Sequence, residues 1–480
     1  MPVNVRPTDR DQQFLMPPSV ADWLPEDHLA WFIIDVVAEL DMAEFYAAYR
    51  EDGRGGAAYD PAMLLGVLLY AYCVGERSSR RIEKRLTDDV AFRVVAANQD
   101  PDHATLARFR RRHEAAIADL FSQVLGLCAQ EGLVASGIIS IDGTKMEADA
   151  SSLSNRTRRQ LADEILAEAE RTDATEDEAL GNRRGDELPE RLAPGADRRA
   201  RLREALRQLD AQEPADYEAM MARRAIKEAE LGRKLKGRKP SPTSPRRKDR
   251  KTNITDPDSR TFRSGTGYLQ GYNAQAAVSA EQVIVAAEVT NSRSDTTMFI
   301  PMVHATKENL SEVGAPQPAV ILADAGYWST DNLDFATDAE VLIPPMPNTA
   351  SDLKPDDPSI ARRAEVLARV ETGSLTAIEA ADQLGISLNW AHKLLANRHN
   401  NRGDPAVHRQ VMIARLATDE ARALYAKRKI SVEPVFGNIK ANLRCRRFNG
   451  RGMKAVSSEW RFICAVHNLM KLRTTRLANG

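Results

Sequence analysis

Three carboxylates in this 480-residue chain stand where a reaction could use them. Asp142 closes the apolar run GIISID, Asp324 closes PAVILAD, and Glu433 follows a further apolar run, VLIPP, at some distance. Short apolar runs rich in β-branched residues read as buried strands. Two of the acids are therefore expected at strand ends, and the third on the helix after the fifth strand. If the first and fourth strands are neighbours, Asp142 and Asp324 converge, and a helix packed on that edge can add Glu433. Carboxylates kept so close in spite of their repulsion need cations, and oxygen-only ligands suit Mg²⁺, with Mn²⁺ as a substitute. Two such ions about 4 Å apart stabilise both the attacking and the leaving oxygen of a phosphoryl displacement. Singly, each acid says little. The chain holds 68 Asp and Glu, and Asp-Gly after a strand is ordinarily a turn.

What surrounds Glu433 adds to the joint placement. Lys427, Arg428, Lys429, Lys440, Arg444, Arg446 and Arg447 crowd around it in sequence. A site that processes a polyanion needs a metal cluster and a positive surround together. The formal net charge of −1 argues against a nucleic-acid partner only as an average. Residues 421–480 carry a net +12, and the first 420 carry −13.

The elements that must hold these residues fall into four stretches. Residues 1–133 read as helices. Asp60-Pro61 opens one of them, and Ala62 to Gly75 fills it with apolar residues, too few for the roughly 20 that a membrane span requires. Another helix carries Arg108, Arg110, Arg111, Arg112 and His113, which fit either a solvated face or a phosphate-contacting one. Residues 134–150, 252–347 and 406–480 carry the strands and the acidic positions, in the order β-β-β-α-β-α-β, with YNAQAAVSA and VIVAAEVT as an antiparallel pair and Asp295-Thr296-Thr297 capping the next helix. Residues 151–251 interrupt that order with a charged helical or coiled-coil arm, whose tail from 233 to 251 holds ten Lys and Arg against one Asp. Residues 348–405 form a second insertion. Within it, Thr376 to Ser387 followed by LNWAHKLLANRH has helix-turn-helix character, with Lys393 on the second helix as a candidate DNA contact.

Composition excludes several classes. A charged fraction of 28% with 43% hydrophobic residues is that of a folded chain. The four cysteines are scattered, with no Cys-x-x-Cys pair, which removes a disulfide framework and a cysteine zinc site. The opening residues show no charged-then-apolar signal pattern. The expectation is a cytoplasmic protein with no membrane partner.

The motifs together resemble those of the insertion-sequence DDE transposases. IDGTK around Asp142 and LADAGYW around Asp324 are similar to the first and second acidic motifs of that family. LYAKRKISVEPVFGNIK is similar to the third, with its Tyr–Arg–Glu–Lys signature on Tyr425, Arg428, Glu433 and Lys440. Four residues rather than three separate Arg428 from Glu433. TDPDSR, GYNAQAAV and the region from Ala62 to Gly132 also resemble family segments. The resemblance implies an α/β fold, an RNase H-like mixed sheet flanked by helices, with an all-α N-terminal domain and two helical insertions. It also implies that Asp142, Asp324 and Glu433 hold two Mg²⁺ ions. Tyr425, Arg428 and Lys440 would contact DNA backbone, with Lys145, Arg444, Arg446 and Arg447 as further phosphate contacts. The implied activity is metal-dependent cleavage and strand transfer at terminal inverted repeats. The implied partners are those repeats, the target DNA and a second copy of the chain.

Two other readings compete. Ser140-Ile-Asp142-Gly-Thr approaches the Asp-x-Asp-Gly-Thr motif of haloacid-dehalogenase-like phosphatases, but Ser at 140 offers no nucleophilic carboxylate. A catalytically silent, transposase-derived DNA-binding protein would keep the basic segments without needing all three acids.

Overall fold

The computed structural model describes residues 20–49, 58–135, 137–180, 196–230, 234, 251–264, 267–335, 337–345, 374–386 and 405–479, with scattered positions between 362 and 392. Its centre is a six-stranded sheet in the order β4-β5-β1-β7-β8, with β6 also paired to β5. The strands are β1 (Ile138–Glu147), β4 (Arg260–Ser264), β5 (Gly267–Ser279), β6 (Ile284–Thr290), β7 (Val320–Ala323) and β8 (Glu340–Leu342). β1 is the hinge of the topology, antiparallel to β5 on one side and parallel to β7 on the other.

Two sequence expectations change here. β1 does not stop at Asp142 but runs on to Glu147, because Gly143 continues the ladder opposite Gln275 instead of turning. A strand also precedes β5. In RTFRS Phe262 is the one apolar residue, and it is buried, so β4 lacks the apolar run that marks an interior strand.

Among the described residues seven α-helices precede the sheet: α1 (Leu29–Glu39), α2 (Ala43–Ala47), α3 (Pro61–Cys73), α4 (Ser79–Asp88), α5 (Val90–Val95), α6 (His103–Arg112) and α7 (Glu114–Gln130). In α3 the Asp60 side chain accepts the Ala62 amide, and Pro61 stands at the first turn, where its missing N–H costs nothing. No described helix is long and apolar enough to cross a membrane. α3 is instead buried on nearly every side. These helices share one apolar core with the sheet, sealed by the C-terminal helix, which packs along α7 and β6 and buries Trp460 completely.

The first insertion leaves and returns through a small second sheet, β2 (Asn155–Thr157) antiparallel to β3 (Lys251–Asn253). Between them lie α8 (Arg158–Leu180) and α9 (Ala196–Glu230), joined by a separate core of Leu161, Leu202, Ala205 and Leu209. After the sheet's middle strands come α10 (Phe299–Glu312) and the single turn α11 (Thr330–Leu333). In the second insertion α12 (Ala377–Leu384) begins with a Thr376/Glu379 capping box and ends at Gly385, whose φ of 60° is the left-handed cap that glycine favours. Lys393 and most of the helix expected after Ser387 lie outside the described residues. So does most of the basic tail from 233 to 251. The chain closes with α13 (Pro405–Ala417), α14 (Asp419–Ala441) and α15 (Met453–Asn479).

Candidate active site

Parallel pairing sets the geometry of the two aspartates. Ile141 and Ala323 are the last matched pair of β1 and β7, and Asp142 and Asp324 are the residues that follow each. Asp142 continues into the β5 ladder, while Asp324 starts a tight 3-10 turn over Ala325–Tyr327 and accepts the Gly326 amide at 2.9 Å. The pair thus stands where the two strands part. Burial pushes the Asp142 carboxyl up to about 6. The Arg428 guanidinium and the Gly143 amide oppose the shift, while Asp324 and Asp295 reinforce it. A cation placed there would relieve that repulsion.

α14 brings the cations from one face of the sheet. Arg428 Nη2 donates to Asp142 Oδ2 at 2.9 Å. Lys440 Nζ donates to Thr144 Oγ1 at 2.5 Å and to the Lys145 carbonyl at 3.1 Å. Burial, with Arg446 and Lys145 nearby, pulls the Lys440 ammonium below its usual range. Tyr425 Oη lies 3.4 Å from the Ala323 carbonyl, and burial raises its phenol. Ser431 meets Ser140 at 2.8 Å and fixes the helix against β1. The helix runs through Pro434, which cannot bond the carbonyl of Ile430. That carbonyl accepts Gln282 Nε2 at 2.8 Å instead.

Glu433 does not join the aspartates in this structure. Val432 and Val435 point into the core, and Glu433 and Pro434 between them are exposed; Glu433 makes no hydrogen bond or ion pair among the described residues. Among the described residues no three His, Cys, Asp or Glu side chains converge as a metal-ligand set. Asp142 and Asp324 supply the hard oxygen donors that a divalent ion takes, and they supply two of the expected three. Glu433 nevertheless lies on the stretch of α14 bracketed by the Arg428 and Lys440 contacts, both of which reach β1 between Asp142 and Lys145.

The remaining candidates form the rim. Lys145 turns to the other face, bonding Asp295 at 3.2 Å and lying over the Phe262 ring. Arg444, Arg446 and Arg447 are exposed. Arg446 donates to the Lys440 carbonyl at 3.2 Å, and Arg447 pairs with Glu147 at 3.0 Å. Tyr327 is fully buried and serves the core.

Sequence reasoning missed the polar cradle behind β1. Asn273 and Gln275 are completely buried on β5. Two amides spaced by two within the apolar stretch of β5 were the available signal, since buried polar groups demand partners. Asp295, expected to cap a helix, makes no side-chain cap bond. Its Oδ1 accepts Asn273 Nδ2 at 2.6 Å and Gln275 Nε2 at 2.9 Å.

Two family models match this chain: the transposase domain DUF772 over residues 18–112 and the transposase DDE domain over residues 241–469. No curated protein and no solved structure matches. The two family segments cover roughly two thirds of the chain, including Asp324, Tyr425, Arg428, Glu433 and Lys440, and the chain belongs to the insertion-sequence DDE transposases. Family membership brings with it transposition, DNA binding and the general use of divalent metal ions.

Proposed function

We propose that the chain cleaves DNA and transfers strands at the terminal inverted repeats of its own insertion sequence, from an RNase H-like core in which Asp142, Asp324 and Glu433 hold two Mg²⁺ ions. The observation that carries this reading is the pairing of Ile141 with Ala323, which sets two carboxylates side by side at the mouth of a mixed sheet. When bound, the ions supply activation of the attacking oxygen and neutralisation of the departing one. Glu433 reaches the pair from its bracketed place on α14, a change of side-chain direction and not of fold. With cations in the site Arg428 would be free to turn from Asp142 to a phosphate, so its charge would serve both states. Tyr425 and Lys440 add backbone contacts on the same edge, while Arg444, Arg446 and Arg447 extend the positive rim. A homodimer fits the task, because two transposon ends must be held at once.

The test is nicking of a plasmid carrying the element's ends by purified protein, with Mg²⁺, with Mn²⁺ and with EDTA. The reading expects metal-dependent cuts at the ends, lost in Asp142→Asn and Asp324→Asn while DNA affinity is kept. A wild-type protein that binds those ends yet never cuts them would instead be the silent DNA-binding relative.

A further inference from the structure

We propose that Asp295 is a positioning residue: it braces β1 behind Gly143 and ties that strand to the turn that begins at Asp324. The inference rests on the reading of Asp142 and Asp324 as the reacting pair.

Side chains alternate across a strand, and directly paired residues share a face. Asp142 and Thr144, opposite Ala276 and Ala274, face α14, where Arg428 and Lys440 reach them. Gly143 and Lys145, opposite Gln275 and Asn273, face the other way. On that side Asp295 Oδ1 gathers three donors, from Lys145, Asn273 and Gln275. The cradle fills the space beneath Gly143 so fully that a Cβ there would collide with Gln275 Nε2 and stand 2.9 Å from Asp295 Oδ1. Gly143 is therefore fitted onto the brace, and Asp142 is its immediate neighbour.

The same loop reaches the second aspartate. Asp295 Oδ2 faces Gly326, and a Cβ on that glycine would lie 3.6 Å away. Thr296 Oγ1 donates to the Gly326 carbonyl at 2.9 Å. Tyr327 donates its hydroxyl to Gln275 Oε1, closing a path from Asp295 through Gln275 to the Asp324 turn. Asn332 Nδ2 spans the Thr296 and Tyr327 carbonyls at 2.9 and 2.7 Å. Beyond Ile141 and Ala323 the strands are no longer paired, so this loop links them where the ladder stops.

The experiment combines hydrogen exchange with cleavage for Asp295→Asn, Tyr327→Phe and the double variant. Asp295→Asn keeps the shape but withdraws the anion from Lys145 and the two amides. Faster amide exchange is expected in peptides covering 142–147 and 324–332, with the rest of the chain unchanged. Single-turnover cleavage at saturating DNA should slow about tenfold or more with the Kd for DNA unaltered, the signature of misplaced reacting groups. Tyr327→Phe should loosen the same peptides less, and the double variant should be no slower than Asp295→Asn, since both act through Gln275. Unchanged exchange in both segments overturns the brace, and exchange raised throughout the chain makes Asp295 merely structural. Loosened segments with wild-type cleavage overturn the positioning role. If the wild type itself never cleaves, the proposed function falls while the exchange result still decides the brace. Should Asp295→Asn not fold, Tyr327→Phe carries the same outcomes.

Discussion

Arg428 neutralises Asp142 across 2.9 Å, a bond between the third motif and the first, while the guanidinium Nε is buried without a hydrogen-bond partner. The two side chains are only 14% and 17% exposed, so each is the other's main compensation for lost water. An ion arriving at Asp142 Oδ2 would compete with that guanidinium.

Arg428→Ala is predicted to lower the stability of the metal-free protein by about 3 kcal/mol, because it leaves a buried carboxylate without its cation. Saturating Mn²⁺ should then raise the Tm of the variant more than that of the wild type, since nothing competes for Asp142. Equal Tm increments in a thermal-shift titration would show that Arg428 and the metal do not share a site.

Lys440→Ala should act in two ways. Losing the bonds to Thr144 and Lys145 costs about 1 kcal/mol of stability. If the ammonium also meets a phosphate, the slope of log K against log salt for DNA binding falls by about 1. An unchanged slope with lowered stability would keep Lys440 as a strut between α14 and β1 and remove it from the DNA contacts.

Gly143→Ala tests the crowding behind the first aspartate. The added methyl collides with Gln275 and crowds Asn273 and Asp295, and overpacking of this kind typically costs about 1–3 kcal/mol. Cleavage should fall at least in proportion, with DNA affinity retained. A variant with wild-type stability and cleavage would show that the cradle yields.

His467 predicts an acid-sensitive fold. Burial holds its imidazole down at about 4, opposed by its bond to the Gln282 carbonyl and helped by Lys471. Neutral, it donates from Nε2 to Gln282 and can accept Asn438 at Nδ1. The unfolded chain binds a proton near pH 6.5 and the folded one does not, so stability is lost as pH falls from about 6.5 towards 4, by about 3 kcal/mol in all. Chemical denaturation across that range checks the slope, and His467→Gln should flatten it.

The strands that carry Asp142 and lead to Asp324 were legible because apolar β-branched runs announce buried strands, but that β1 runs on past Asp142 to Glu147 was not, since its second half is less apolar. The helix around Glu433 was legible too, but the direction of its carboxylate was not, since that depends on which neighbours, Val432 and Val435, take the core. Asp295 looked like a cap because Asp before a helix usually is one. Its actual partners lie on β1 and β5, far away in sequence. β2 and β3 were invisible for a plainer reason: three residues each carry no periodicity.

That small ladder also bears on how the chain assembles. Glu147 must find Gly271 although the two are well over a hundred residues apart, the kind of non-local pairing that slows folding. Were Thr157 and Lys251 to pair first, the β1–β5 register would close over a short remaining gap. Replacing residues 158–250 by an Asn-Gly turn should therefore leave refolding of the sheet as fast or faster, whereas breaking the ladder with the arm in place should slow it.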